Sequence, residues 1–242
     1  MRRLLTAVRT DVRVQLRNNL YAIGIGVGTL IAAALAWLVS PSLLPSVVPA
    51  LLLIVTGGST LVYVGGMILL EKEQGTLNAN IVSPLRPAEY LRSKVITLSA
   101  LATLESAVMV GGAMLIMGLS APLRLPNIPL MLAGIISIGV VYTLFGIILV
   151  VRFDRITDFL VPMAGVAAIL QLPFLYFLGW VKHPILLAVP TSAPTMFIHG
   201  AYQGLVSWEW LYAVGYTLAL IVVLMIWVQR AFANHVVMKV GK

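Results

Sequence analysis

The sequence predicts an all-α, polytopic membrane protein with six transmembrane helices, folded as a single domain over residues 1–242. Three observations predict it. Apolar side chains make up 60% of the 242 residues and charged ones only 10%. A soluble domain carries about 25% charged residues, so this chain cannot cover itself for water. Mean hydropathy is +1.02, and the apolar residues fall into runs close to the ~20 that cross a ~30 Å hydrocarbon core. The connections leave no room for a separate soluble enzyme domain. The absence of cysteine removes disulfides, thiol catalysis and thiolate metal sites together. A net charge of +8 could suggest nucleic acid, but the bases sit beside apolar runs, which is the membrane pattern.

Residues 1–19 place Leu4, Val8, Val12 and Leu16 at four-residue spacing, with Arg9, Arg13 and Arg17 along another line. This predicts an amphipathic helix in the headgroup region, its arginines toward anionic lipid. A positive flank that only sets orientation explains the charges as well; the apolar stripe favours the helix. Arg2 and Arg3 resemble the start of a signal peptide, but the first apolar run begins near Leu20 and no small-residue cleavage site follows a short core, so mature sequence is expected.

The first span is expected at 20–39. Gly24 and Gly28 lie one turn apart and permit close approach of another helix. Its GIGVGT string is no nucleotide loop, having neither a lysine nor a preceding strand. The second span, 47–70, carries Gly57-Gly58 and Gly65-Gly66 on a shared face. A third span follows at 95–119 and a fourth at 128–151. The polar turn RFDRITDF leads into a fifth at 157–179, where Asp158 is expected to cap the helix and Pro173 to kink its far end. Residues 180–208 hold Trp180, Trp208, three prolines and apolar stretches too short to cross; an extracytoplasmic re-entrant or interfacial segment is expected. The sixth span is placed at 210–228, before a basic tail. Lysines and arginines in the termini and the even-numbered connections outnumber those in the alternate loops fourteen to two. By the positive-inside rule both termini face the cytoplasm, in the cell membrane.

The only long polar interruption is 71–94, EKEQGTLNANIVSPLRPAEYLRSK. Its acids are Glu71, Glu73 and Glu89, its bases Lys72, Arg86, Arg92 and Lys94. Acids contribute nothing to topology, so Glu71 and Glu73 count against a merely solvated loop. Gly75 can end a helix and Pro84 forbids simple continuation, which makes the stretch between them a discrete lever.

Here a resemblance enters. Glu71, Glu73, Gly75-Thr76-Leu77, Ser83-Pro84-Leu85 and Lys94 match the acid-rich segment, Gly-Thr, Ser-Pro-Leu and lysine of the ABC-2 type permeases of ABC exporters. SPLRPAEYLRSK followed by Leu104-Glu105-Ser106 looks most like the fluoroquinolone-export permeases. The resemblance implies a half-transporter. Two permease chains, the same or related, pair with two cytoplasmic ABC ATPase subunits, which bind the ATP and magnesium. They move a hydrophobic or amphiphilic small molecule outward by alternating access. Lipid, polysaccharide or haem export by the same architecture is the alternative cargo. The residues implied in ATPase coupling are Glu71, Glu73, Gly75, Thr76, Leu77, Ser83, Pro84, Leu85 and Arg86, with Arg152 and Arg155 in the second turn. The first and fifth spans are implied at the permease interface, making Gly24, Gly28 and Pro173 candidates there. No GxxxxGK[ST] occurs, and the only Gly-Lys is Gly241-Lys242, so this chain is expected to bind no cofactor and not to be an enzyme itself.

Glu105 is the one ionisable residue deep in a span. Burying a charge there costs a few kcal/mol, so it is expected to be protonated, hydrogen-bonded to a neighbouring helix, or facing a wet cavity. It is either a polar contact for a cationic or zwitterionic substrate or a tie between helices. His183, His199 and His235 have no metal spacing, and no metal site is expected. A membrane enzyme or scaffold without an ATPase would need buried catalytic groups, and only Glu105 qualifies.

Overall fold

The computed structural model describes residues 2–76, 86–119 and 125–237. The predicted Leu77, Ser83, Pro84, Leu85 and Arg124 lie outside the described residues, as does the end of the basic tail.

Six helices are long and apolar enough to cross a membrane, and no strand occurs among the described residues. An amphipathic helix, α1 (Arg2–Arg17), precedes the first span, α2 (Leu20–Leu38). The second span is α3 (Leu44–Glu73), entered through a 3-10 turn at Pro41–Leu43. The third and fourth are α4 (Pro87–Gly118) and α5 (Ile128–Val150). The fifth is α6 (Ile156–Gln171), extended by the short α7 (Phe174–Phe177). Helix α8 (Ser192–Gln203) follows. The sixth span joins α9 (Ser207–Leu211) to α10 (Thr217–Phe232) through a π-helical stretch, Tyr212–Tyr216.

Helices α3, α4 and α5 form the centre, with α2 against α4, α6 against α3 and α10 against α5. Small residues set the spacing, because in a bilayer helices associate by packing and hydrogen bonding rather than by expelling water. A Cβ on Gly57 would lie 2.3 Å from the Tyr142 ring, and one on Gly65 would lie 2.3 Å from the Phe159 ring. The glycines of α3 therefore seat an aromatic from α5 and another from α6. The outward faces of α2, α6 and α10 are apolar and exposed, as at Leu30, Val161 and Val222. That is a lipid-facing surface.

Two helices outrun the bilayer. At 1.5 Å per residue, the 30 residues of α3 and 32 of α4 reach about 45 and 48 Å, against a ~30 Å core. Helix α4 starts before the apolar run because Pro87 occupies its first turn and the Glu89 carboxylate accepts the Arg86 N–H at 3.0 Å. Most charge gathers where α3 ends and α4 begins, with α1 laid against α4. At the opposite end, Trp37, Trp180, Trp208 and Trp210 are exposed and mark an interfacial belt.

Two local expectations change. Arg155 rather than Asp158 occupies the N-cap of α6, with Asp158 in the first turn. Pro173 does more than kink its helix, since α6 ends at Gln171 and a new turn opens at Phe174. The apolar stripe of α1 is half-buried at Leu4, Val8 and Val12, on the face that also buries Asp11 and Gln15, and only Leu16 of it is exposed. Helix α8 is buried along most of its length between α3 and α5, where the Asn127 N–H donates to Ala201 O at 2.7 Å.

The glycine contacts give a direct test. Gly57→Ala should lower stability by about 1–3 kcal/mol through overpacking against Tyr142. Gly66→Ala, which meets nothing within 4 Å, should leave the melting midpoint of the purified protein unchanged or raised. Equal midpoints for both variants would remove the close-packing account.

Candidate functional site

The charged end is built around Lys94, whose side chain is 0% exposed. Its Nζ donates to Asp11 Oδ1 of α1 at 2.6 Å and to Glu71 Oε1 of α3. The other carboxylate oxygens are also occupied. Ser93 Oγ donates to Asp11 Oδ2 at 2.5 Å, and Tyr90 Oη donates to Glu71 Oε2 at 2.7 Å. Tyr90 packs on Phe232 of α10, ring centroids 5.4 Å apart, and Lys94 Nζ lies 5.2 Å over the Tyr90 ring. Three helices thus meet at one ammonium, and a fourth, α10, packs on the tyrosine beside it. Charges removed from water are tolerated only when paired and fully hydrogen-bonded, and removing one partner costs about 3–5 kcal/mol.

A second lysine fastens the other turn. Lys72 Nζ donates to Val151 O at 3.1 Å, to Phe153 O at 2.6 Å and to Asp154 Oδ1 at 3.4 Å. A cation on the free carbonyls at the end of α5 complements the helix dipole. The end of α3 and the turn after α5 are therefore held together, with Lys72 as the bolt.

The predicted coupling residues separate into two groups. Glu71 is buried within the Lys94 cluster, and Thr76 Oγ1 closes on Glu71 O at 3.1 Å. Gly75 adopts φ of +69°, a left-handed conformation that ends α3. Glu73, Arg86, Arg152 and Arg155 are exposed. Beside Glu73 opens a cleft of about 270 Å³ lined by Asn18, Leu20, Gly66, Met67, Leu70 and Ile156, among others.

Within the bundle, Glu105 is buried. Its Oε2 accepts Ser59 Oγ at 2.9 Å and Tyr63 Oη at 3.0 Å, both from α3. Its Oε1 has no partner among the described residues. One turn away, Thr56 and Ser106 share a hydrogen bond of 2.8 Å. Gly24 and Gly28 face this site: a Cβ on Gly24 would lie 3.3 Å from Tyr63 Oη, and one on Gly28 2.8 Å from Glu105 O. The glycine face of α2 is thus occupied by α3 and α4 of the same chain. Pro173 caps α7 at the opposite end.

Among the described residues no group of three or more His, Cys, Asp or Glu is arranged to hold a metal ion. His199, in α8, is half-buried beside Phe177, ring centroids 5.8 Å apart, and its partial burial holds its imidazole below the usual range.

Sequence reasoning missed Asp11, Lys72, Tyr90, Ser59 and Tyr63. One signal was available, since Asp11 is the sole acid before Glu71. The others are ordinary residues whose partners lie far away in the chain.

Lys72→Met should loosen the turn after α5. Hydrogen–deuterium exchange across 151–155 should quicken roughly tenfold, matching the ~1–2 kcal/mol of a favourable cation–helix-end interaction. Unchanged exchange would deny Lys72 its fastening role.

Comparison with known proteins gives one family. The sequence profile of the fluoroquinolones export permease protein family matches residues 2–240. Two relatives from Mycobacterium tuberculosis, strains CDC 1551 / Oshkosh and ATCC 25618 / H37Rv, are each named a fluoroquinolones export permease protein. Each is 29% identical over 247 residues, covering 100% of this chain and 99% of the relative.

Proposed function

The chain belongs to the fluoroquinolones export permease protein family, and from that premise we propose that it is the membrane subunit of an ATP-driven exporter. It pairs with a second permease chain and two cytoplasmic ABC ATPase subunits, which bind and hydrolyse ATP with magnesium. Its cargo is an amphiphilic small molecule of the fluoroquinolone kind, moved outward by alternating access. The charge count supports a cytoplasmic side for both termini and the charged end, in the plasma membrane.

One observation supports this reading above the rest. The end of α3 is bolted to the turn after α5 through Lys72, and to α1 and the start of α4 through Lys94. Energy released in a separate soluble subunit moves a membrane domain only through a stiff contact, since a slack loop dissipates the displacement. Glu73, Arg86, Arg152 and Arg155 supply exposed charges for the ATPase to grip. Glu71, buried, serves the stiffness of that surface instead. Glu105 is the polar station along the cargo path, with one carboxylate oxygen uncommitted among the described residues.

Purification of the tagged chain from its own cells should bring down an ABC ATPase, and co-expression of the two should raise fluoroquinolone efflux. Glu73→Ala and Leu77→Ala should lower both ATPase recovery and efflux. If both stay at wild-type values, the coupling assignment falls. Glu105→Gln should leave the protein folded but change efflux or its pH dependence; untouched transport would make Glu105 a tie between helices only.

A further inference from the structure

The α1–α2 joint is the least regular point near the charged end. Asn19 sits between the helices at φ of +56°, the only non-glycine residue with positive φ among those described. Asparagine tolerates this left-handed conformation, where most side chains would be strained. The joint leads the chain from α1, packed against the start of α4, into α2, the first span. Upstream of it, α1 buries an acid, Asp11, against Lys94. For a helix lying in the headgroup region this is unexpected, because an acid there would ordinarily face water.

The geometry points to Lys94 as a positioning residue that carries motion of the 71–94 loop into the first span by pinning α1 to the ends of α3 and α4, with Asn19 as the articulation. This rests on the exporter reading. It adds a second output to the lever: besides α3 and α4, which bear the loop covalently, the lever drives α2 through a non-covalent pin. Four features support it. The pin joins α1 to both flanks of the loop, through Asp11 on one side and Glu71 on the other. Both carboxylates are fully hydrogen-bonded, so the arrangement is directional as well as electrostatic. Its position lies off the membrane-crossing core of α4, at the level where a cytosolic push arrives. Finally, α2 is packed along α4 at Gly24 and Gly28, so displacement of its start shifts a helix touching Tyr63 and Glu105.

Lys94→Met alone leaves two buried carboxylates unpaired and can fail to fold. The informative protein is therefore the triple variant Asp11→Asn, Glu71→Gln, Lys94→Met, which removes the charges while keeping volumes close to the originals. Two measurements are made on the full chain with its ATPase in lipid vesicles. One is fluoroquinolone transported per ATP hydrolysed, at matched amounts of assembled complex, a ratio that mere loss of folded protein does not move. The other uses the absence of cysteine: spin labels at Thr10→Cys and Arg92→Cys, both exposed, report the α1–α4 distance. The triple variant should hydrolyse ATP with transport per ATP reduced about tenfold, and its single narrow distance distribution should broaden. A wild-type ratio, or an unchanged distribution, overturns the proposal. If the unmodified chain brings down no ATPase, the exporter reading is what fails; the distance measurement then decides the pin by itself, an unchanged distribution overturning it and a broadened one upholding it.

Discussion

An ammonium held out of water between two carboxylates is the constraint around which the charged end is arranged. Lys94 has no solvent to stabilise it, so Asp11 and Glu71 must both arrive, and each must find a second donor. That requirement fixes the rotation of α1 about its axis, the height at which α3 ends and the register of α4 at once. Apolar packing could not do this as sharply, because a hydrophobic face tolerates sliding by a fraction of a turn. A charge-assisted hydrogen bond at 2.6 Å does not.

Elsewhere the bundle is held by contour. Gly57 and Gly65 receive the rings of Tyr142 and Phe159, and Gly146 lies against Val64, so α3, α5 and α6 interlock without polar bonds at those points. The outer helices are different. Helices α2, α6 and α10 each present one packed face and a broad apolar one. A rigid centre with peripheral helices attached along single seams can let the periphery shift while the centre keeps its shape. That is the mechanical division a transporter needs.

How much of this the sequence disclosed follows from the period of each signal. Six spans and an all-helical fold were legible because bilayer thickness imposes a run length, and run length is local. The left-handed Gly75 and the polar 71–94 interruption were legible for the same reason. Cross-chain pairing was not. Lys94 and Asp11 lie 83 residues apart, and Lys72 and Phe153 lie 81 apart; no periodicity encodes such a match. The stripe of α1 was legible from leucine and valine spacing, but that the same face buries Asp11 beside an ammonium was not. Gly24 and Gly28 announced a close approach without naming the helix that makes it. The stretch 180–208 was legible as apolar runs too short to cross, but the slot between α3 and α5 that its helix α8 fills was not.

The two polar sites of α4 belong to one mechanical unit. Lys94 and Glu105 are eleven residues apart on the same helix, about 16 Å along its axis. Each is tied to α3, the first through Glu71 and the second through Ser59 and Tyr63. Two antiparallel rods cross-tied at two heights resist bending and sliding between the ties. A displacement imposed at the upper tie therefore reaches the lower one with little loss. Gly24 of α2 sits over that lower tie, 3.3 Å from the Tyr63 hydroxyl if it carried a Cβ. A small movement of α2 along α4 would change what shields the carboxylate before it changed anything else. Along the tied pair and through α2, two routes would lead from the charged end to the intramembrane acid, whose Oε1 has no partner among the described residues.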